Sequence, residues 1–560
     1  MGRKAVVRSR KNTNTLNKLE TVKHILANSG GIGVSNNQHV AGWKNSNAPP
    51  AMSRSSSLET DEGDYEAADF NDTDLVTPQI YSFVTKQLIR SRLILIFLQW
   101  FFNWIIPDFS TDAFKGFEPT NSTKVDTTVQ SLIGGFARWD ARHFLHIAEF
   151  DYTWESTLAF FPFFPMLLRV TGSTLQWSIG SISLFNAMIV SGVVINNVLF
   201  VVNGLLLFKL CLVLTKNTKE SLIAVYVFCF NPASIFFSSV YTESIYMSFT
   251  LMGLIVIYEQ SGYVRLPIAA CLFSFAYATR ANGILNFGYI GFALLIETVV
   301  RKDSDDRLVI EQSTWKLAEK SLKRLPILLA CLLIVILPLR IFGWSMEERY
   351  CKSTLVTVNE RLLPTLEQNS TAFVLPGKLD SMPWCDENRP VSLFFPAYYA
   401  DVQNKYWDVG FLHYWQLRKI LMFLIASPTL GFVLYGFMDF IIDIGTDRRN
   451  FAEAISDQRY LIPFVIHSSI IGLSGFLFYN VEVSIRMLYS SSPFLYILLA
   501  RIMSNQTPRI LVPQDVIVPT LLPFFANYIF VRPLHFFMML YILGYFFFGT
   551  LLHVNWLPFV

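Results

Sequence analysis

From about residue 88 to the last residue, the chain is a succession of apolar runs near 20 residues long, separated by short polar segments. A run of that length as a helix matches the roughly 30 Å hydrocarbon core of a bilayer, where helices or closed barrels alone satisfy the backbone. Composition agrees, with 52% hydrophobic and only 16% charged residues and a mean hydropathy of +0.40, against roughly 25% charged in soluble domains. The fold class expected is an all-α polytopic membrane protein. Candidate spans are 88–107, 183–213, 221–239, 244–260, 265–280, 283–300, 325–344, 418–442, 460–479, 487–503, 513–530 and 535–552. The stretch 157–171 is interrupted by Pro162 and Pro165 and reads as re-entrant rather than spanning.

Residues 1–85 differ in kind: basic at first, then rich in Ser, Asn and Gly, then acidic, and unable to bury a core. No apolar run follows the basic start, so no signal peptide is expected and the first run serves as an uncleaved anchor. Arg90 and Arg92 flank that run on the side of the basic tail, which by the positive-inside rule puts the tail in the cytosol. Clusters at Lys216/Lys219, Arg301 to Arg324 and Arg448/Arg449 read as cytosolic by the same rule; the loops at about 108–155 and 345–416 then face the lumen. The acceptor triplets Asn121-Ser122-Thr123 and Asn369-Ser370-Thr371 fall in those two loops, whereas the triplets at Asn71 and Asn505 are not expected to be modified.

The net charge of +3 offers no basic surface for nucleic acid. Cys211, Cys229, Cys271 and Cys331 sit in or beside apolar runs as small hydrophobes. Cys351 and Cys385 share one polar segment, so a disulfide is expected if that segment faces an oxidising lumen. No cysteine spacing suggests zinc, and no bound metal is expected.

Chemistry concentrates in Phe136 to Phe150. At helical period, Phe136, Trp139, His143, Ile147 and Phe150 share one face and Arg138, Arg142, His146 and Glu149 the other. A surface amphipathic helix explains that pattern but not Asp140, which projects with the apolar face and has His143 within reach at i+3. An ionisable group so placed points to catalysis. Asp112, after the first span, is either a solvated loop acid or a substrate contact. Arg280 lies inside an apolar run beside Asn282 and Gly283, and reads as a snorkelling cation or as a fixed cation for a phosphate. Glu243 is its candidate partner, or an acceptor or sugar contact, and Arg486 a second candidate cation. Tyr406 and Trp407 fit an interfacial aromatic belt or a sugar contact.

From residue 88 onward these motifs resemble the second mannosyltransferases of glycosylphosphatidylinositol (GPI) anchor synthesis. The resemblance rests on Arg138-Trp139-Asp140-Ala141 with His143-Phe144-Leu145, Phe160-Phe161-Pro162 with Phe164-Pro165, and Asn231-Pro232-Ala233 with Tyr241-Thr242-Glu243. Arg280 with Asn282-Gly283, Pro383-Trp384-Cys385, Tyr406-Trp407 and Val481-Glu482-Val483 with Arg486 support it. Ala281 and Phe163 stand where the family pattern has serine and glycine, so neither is given a role.

The resemblance implies a C-type glycosyltransferase architecture in the endoplasmic-reticulum membrane, with the active site in the first luminal loop. The donor would be dolichyl phosphate mannose, the acceptor the GPI glycolipid bearing one mannose, and the new linkage α-1,6, without a cofactor. An accessory membrane subunit is compatible with it. Inversion from a β-linked donor calls for one general base, for which Asp140 is the candidate. Arg280, then His143, Arg142 or Arg486, would stabilise the departing phosphate. The rivals are another dolichyl-phosphate-sugar-dependent C-type glycosyltransferase, a lipid or sugar transporter, whose repeats of broken helices are not seen in the sequence, and a non-catalytic scaffold, which needs no charge on apolar faces.

Overall fold

In the computed structural model the described residues are 78–111, 113–116, 122–302, 308–352, 382–386, 392–446, 460–504 and 533–559. They form sixteen α-helices, in chain order α1 (Pro78–Ile105), α2 (Lys124–Ile133), α3 (Asp140–Phe150), α4 (Phe163–Ile179), α5 (Leu184–Thr215), α6 (Thr218–Cys229), α7 (Glu243–Glu259) and α8 (Arg265–Thr279), then α9 (Phe287–Val299), α10 (Thr314–Glu347), α11 (Tyr399–Trp407), α12 (Ile420–Thr446), α13 (Ile462–Leu477), α14 (Val483–Ser491), α15 (Phe494–Ser504) and α16 (Pro533–Val554). Among the described residues six helical segments are long and apolar enough to cross a membrane: Pro78–Ile105, Leu184–Thr215, Ala281–Val299, Thr314–Cys351, Leu417–Thr446 and Pro533–Val554. A seventh candidate is the pair α14 and α15, bent by 83°, where Pro493 interrupts the helix.

Several expectations change here. The first helix starts at Pro78, ahead of the boundary drawn at residue 85. Arg92 does not flank it but lies buried within it, donating to the Cys229 carbonyl at 2.8 Å, the Ser234 hydroxyl at 2.6 Å and carbonyl at 3.2 Å, and the Ser238 hydroxyl at 3.1 Å. Its guanidinium also sits 3.6 Å from the centre of the Phe200 ring. So dense a set of charge-assisted bonds offsets the cost of burying the cation, which makes Arg92 a brace for residues 229–238 rather than a flag of topology. The run 221–239 is not one span: α6 stops at Cys229, and a 3-10 turn at Ser234–Phe237 follows under the hold of Arg92. Pro162 and Pro165 do not break a helix but start α4, at positions where a missing N–H costs nothing. A small antiparallel hairpin, β1 (Val300–Lys302) with β2 (Leu308–Ile310), lies between α9 and α10 and holds the β-strands found among the described residues. The triplets at Asn71, Asn121, Asn369 and Asn505 and the run 513–530 lie wholly or partly outside the described residues.

Candidate active site

Helix α3 forms where expected, but it is not a surface amphipathic helix. Every residue from Ala141 to Ala148 is buried, on both faces. Both of its ends carry non-glycine residues in the left-handed half of backbone space, Trp139 at φ 55° and Asp151 at φ 67°. Each such residue costs on the order of 1–3 kcal/mol and persists where its surroundings over-determine it. At the start of α3 those surroundings include the Asp140 amide, which donates to the Tyr241 hydroxyl at 3.1 Å, and the Val240 amide, which donates to the Phe136 carbonyl at 3.0 Å. The chain before α7 is fixed in turn by Asn196, whose side-chain amide donates to the Tyr241 carbonyl at 2.8 Å.

The side chains gathered there make an alternating chain of charge. Arg486 on α14 donates to Asp140 Oδ2 at 2.6 Å, and its other terminal nitrogen lies 3.7 Å from Glu243 Oε1. Arg280, just past α8, approaches the same Glu243 oxygen at 2.7 Å. Glu243 is fully buried, and Arg280, Arg486 and Asp140 expose 8%, 11% and 17% of their side chains. Glu243 opens the first turn of α7, where the helix dipole favours a carboxylate. Ser490 accepts from Arg280 at 3.3 Å, and Asn282 donates to the Ser491 hydroxyl at 2.7 Å, so one face of α14 lines both sides of the Arg280 turn. Arg280 therefore does not snorkel; it is a fixed cation, held with Arg486 around one buried carboxylate. Two cations and two anions cancel, and removing one would strand the others at roughly 3–5 kcal/mol.

The remaining candidates scatter. His143 does not pair with Asp140: its ring stacks between Phe114 and Phe160 at 4.2 and 4.6 Å. Burial lowers its pKa to about 4 against the partial pull of Asp140, so it is neutral near pH 7 and does not fit the role of a phosphate cation. Arg142 donates to the Ala137 carbonyl at 2.8 Å and lies over the Phe185 and Trp556 rings at 5.3 and 5.9 Å. Trp407 lies 6.0 Å from His143 and 5.7 Å from Phe160, while the Tyr406 hydroxyl donates to Glu155 at 2.8 Å. Asp112 lies outside the described residues. Cys351 and Cys385 are joined as a disulfide, which sets Trp384 against Glu155 at 3.3 Å.

Sequence reasoning missed Glu155, a buried acid that also takes Lys405 as an ion-pair partner. Its place in Tyr152-Thr153-Trp154-Glu155, an acid inside an aromatic run, was the available signal. Among the described residues no three His, Cys, Asp or Glu side chains gather as a metal-binding set.

A family described as Mannosyltransferase (PIG-V) matches residues 81–560. The chain is 30% identical to a GPI mannosyltransferase 2 of Drosophila melanogaster, over 74% of this chain and 89% of that one. It is 27% identical to a GPI mannosyltransferase of Caenorhabditis elegans, over 87% and 82% of the two chains. With the GPI alpha-1,6-mannosyltransferase 2 of Homo sapiens it shares 28% identity over 85% of this chain and 98% of that one. Among solved structures, the oligosaccharyltransferase of Archaeoglobus fulgidus aligns with a TM-score of 0.38 at 12% identity, over 84% of this chain and 56% of that one. The motifs around Asp140, Glu243, Arg280 and Arg486 thus lie inside a family match that runs from α1 to the last residue, and the chain belongs to the mannosyltransferase (PIG-V) family.

Proposed function

We propose that this protein transfers the second mannose, in α-1,6 linkage, from dolichyl phosphate mannose to the GPI-anchor precursor, at the luminal face of the endoplasmic-reticulum membrane. The names of its relatives support the reaction, and one observation carries the assignment of residues: Asp140 pairs with Arg486, which Glu243 links to a second buried arginine, Arg280. A single displacement at the anomeric carbon needs a base for the acceptor hydroxyl on one side and fixed positive charge for the leaving phosphate on the other.

In this reading the donor phosphate binds between Arg280 and Arg486. By taking over Arg486 it releases the Asp140 carboxylate, which then accepts the proton of the acceptor hydroxyl. The acceptor oxygen bonds to the anomeric carbon as the carbon–phosphate oxygen bond breaks, and dolichyl phosphate leaves with its added charge on the two guanidiniums. Trp407 and Phe160, which meet at 5.7 Å, offer flat apolar faces for a sugar. The four groups come from separate elements, α3, α7, the turn after α8, and α14, and are already in contact, which favours orientation of the reacting groups.

The test supplies labelled dolichyl phosphate mannose to membranes from cells that lack the endogenous enzyme and express this chain. Transfer of label to the one-mannose GPI glycolipid supports the proposal. A protein that is present and inserted but transfers no label to that acceptor contradicts it.

A further inference from the structure

After α16 the chain turns back on itself, with the Leu557 amide donating to the Leu552 carbonyl at 2.9 Å and Trp556 at φ 60°. Asn555, Trp556 and Phe559 are all buried, although they follow the last membrane-length helix. Two bonds tie this turn to the first part of the chain. Phe109 donates its amide to the Asn555 carbonyl at 3.0 Å, and Arg138 donates to the Val554 carbonyl at 3.2 Å.

The turn reaches each member of the Asp140–Arg486 pair through an intervening aromatic residue. On one side the Trp556 ring packs against Trp139 at 5.6 Å, with the Arg138 guanidinium 5.5 Å from its centre. On the other, Phe559 stacks on Phe236 at 5.9 Å and 12°, and Phe236 in turn lies 5.5 Å beneath the Arg486 guanidinium. Phe559 can come this close only because residue 549 is glycine: a Cβ there would stand 2.5 Å from the Phe559 ring.

Trp139 is the residue that most needs such support. It holds a backbone conformation unfavourable to any β-carbon, and its indole N–H is buried with no hydrogen-bond acceptor among the described residues. Packing, rather than hydrogen bonding, therefore fixes its side chain. The next residue is Asp140, whose amide begins α3, so a shift of Trp139 moves the carboxylate directly.

We infer that Trp556 is a positioning residue: by packing on Trp139 it holds the strained start of α3, and with it Asp140, in register with Arg486. This rests on the reading of Asp140 as the base. Misplacement of a reacting group by about 1 Å costs on the order of 10²-fold in rate.

The full chain is therefore compared in membranes as wild type, Trp556→Ala, Trp556→Phe and Asp140→Asn, at matched amounts, with labelled dolichyl phosphate mannose. Trp556→Ala is expected to lower kcat roughly 10- to 100-fold while donor KM stays within about 2-fold, and Trp556→Phe to return kcat to within about 3-fold of wild type. Normal kcat in Trp556→Ala overturns the inference. So does a parallel loss of kcat, donor affinity and heat stability that Phe does not repair, since that is the signature of general packing. If Trp556→Ala does not accumulate, Trp556→Leu, which keeps apolar volume but not the flat ring, carries the same test with the same criteria. An active Asp140→Asn overturns the base instead, whereas an inert Asp140→Asn beside a normal Trp556→Ala overturns this inference alone.

Discussion

Asp140 and Arg486 are 346 residues apart in the chain and 2.6 Å apart in the folded protein. The pair ties the first residue of α3 to the middle of α14, and in the proposed reaction each partner has a different task. Arg486→Gln is expected to lose roughly 10²- to 10³-fold in turnover and to weaken donor binding, because it removes a preorganised cation from the leaving group. Arg486→Lys keeps the charge but not the fork that spans Asp140 and Glu243, and should recover donor binding more than turnover. Donor KM and kcat measured for both variants check this.

Glu243 sets the charge balance of the two arginines. Glu243→Gln keeps its shape and removes one negative charge, so dolichyl phosphate should bind more tightly while turnover falls through slower product release and looser arginines. Arg280→Ala should do the opposite to affinity, weakening donor binding together with turnover. Product-inhibition constants for dolichyl phosphate separate the two directions.

His143 gives a prediction in pH. Burial lowers its pKa from 6.5 to about 4, so the unfolded chain binds the proton more readily, and stability falls as pH drops from about 6.5 toward 4. At pH 5 the loss is on the order of 2 kcal/mol. His143→Phe, which keeps the stack between Phe114 and Phe160, should lose less heat stability than wild type between pH 7 and pH 5. Inactivation midpoints at both pH values, under otherwise identical conditions, measure the difference.

The disulfide between Cys351 and Cys385 closes a segment with a sequence separation of 34 and brings their Cα atoms to 5.5 Å. Chain-entropy reasoning assigns such a closure roughly 3–4 kcal/mol. Cys385→Ser should lower the heat stability of the region around Trp384 and Glu155, seen as faster proteolysis there. Alkylation of permeabilised, non-reduced microsomes should leave both thiols of the wild type unlabelled.

What the sequence disclosed and what it hid follow one division. Helical period and apolar length are local, so α3, the long spans and the odd placement of Asp140 could be read directly. Arg280, Glu243 and Arg486 could each be named because a charge in an apolar run is conspicuous, but their joining around one Glu243 oxygen depends on contacts between distant elements. Arg92 was misread because a basic residue near a helix end looks the same whether it meets water or Ser234 and Ser238. The polar face of α3 was misread for a similar reason: His146 meets Thr153 at 2.7 Å and stacks on Trp154 at 4.4 Å, partners that a helical wheel does not contain.

The central claim is that Asp140 is the general base. Asp140→Asn preserves the side chain's shape and removes the basic oxygen, so mannose transfer at matched expression should fall by roughly 10²- to 10⁴-fold, with the protein still inserted, disulfide-bonded and able to bind dolichyl phosphate mannose. The direct measurement is single-turnover transfer of labelled mannose in membranes loaded with donor before acceptor is added. A wild-type rate in Asp140→Asn under those conditions would rule Asp140 out as the base.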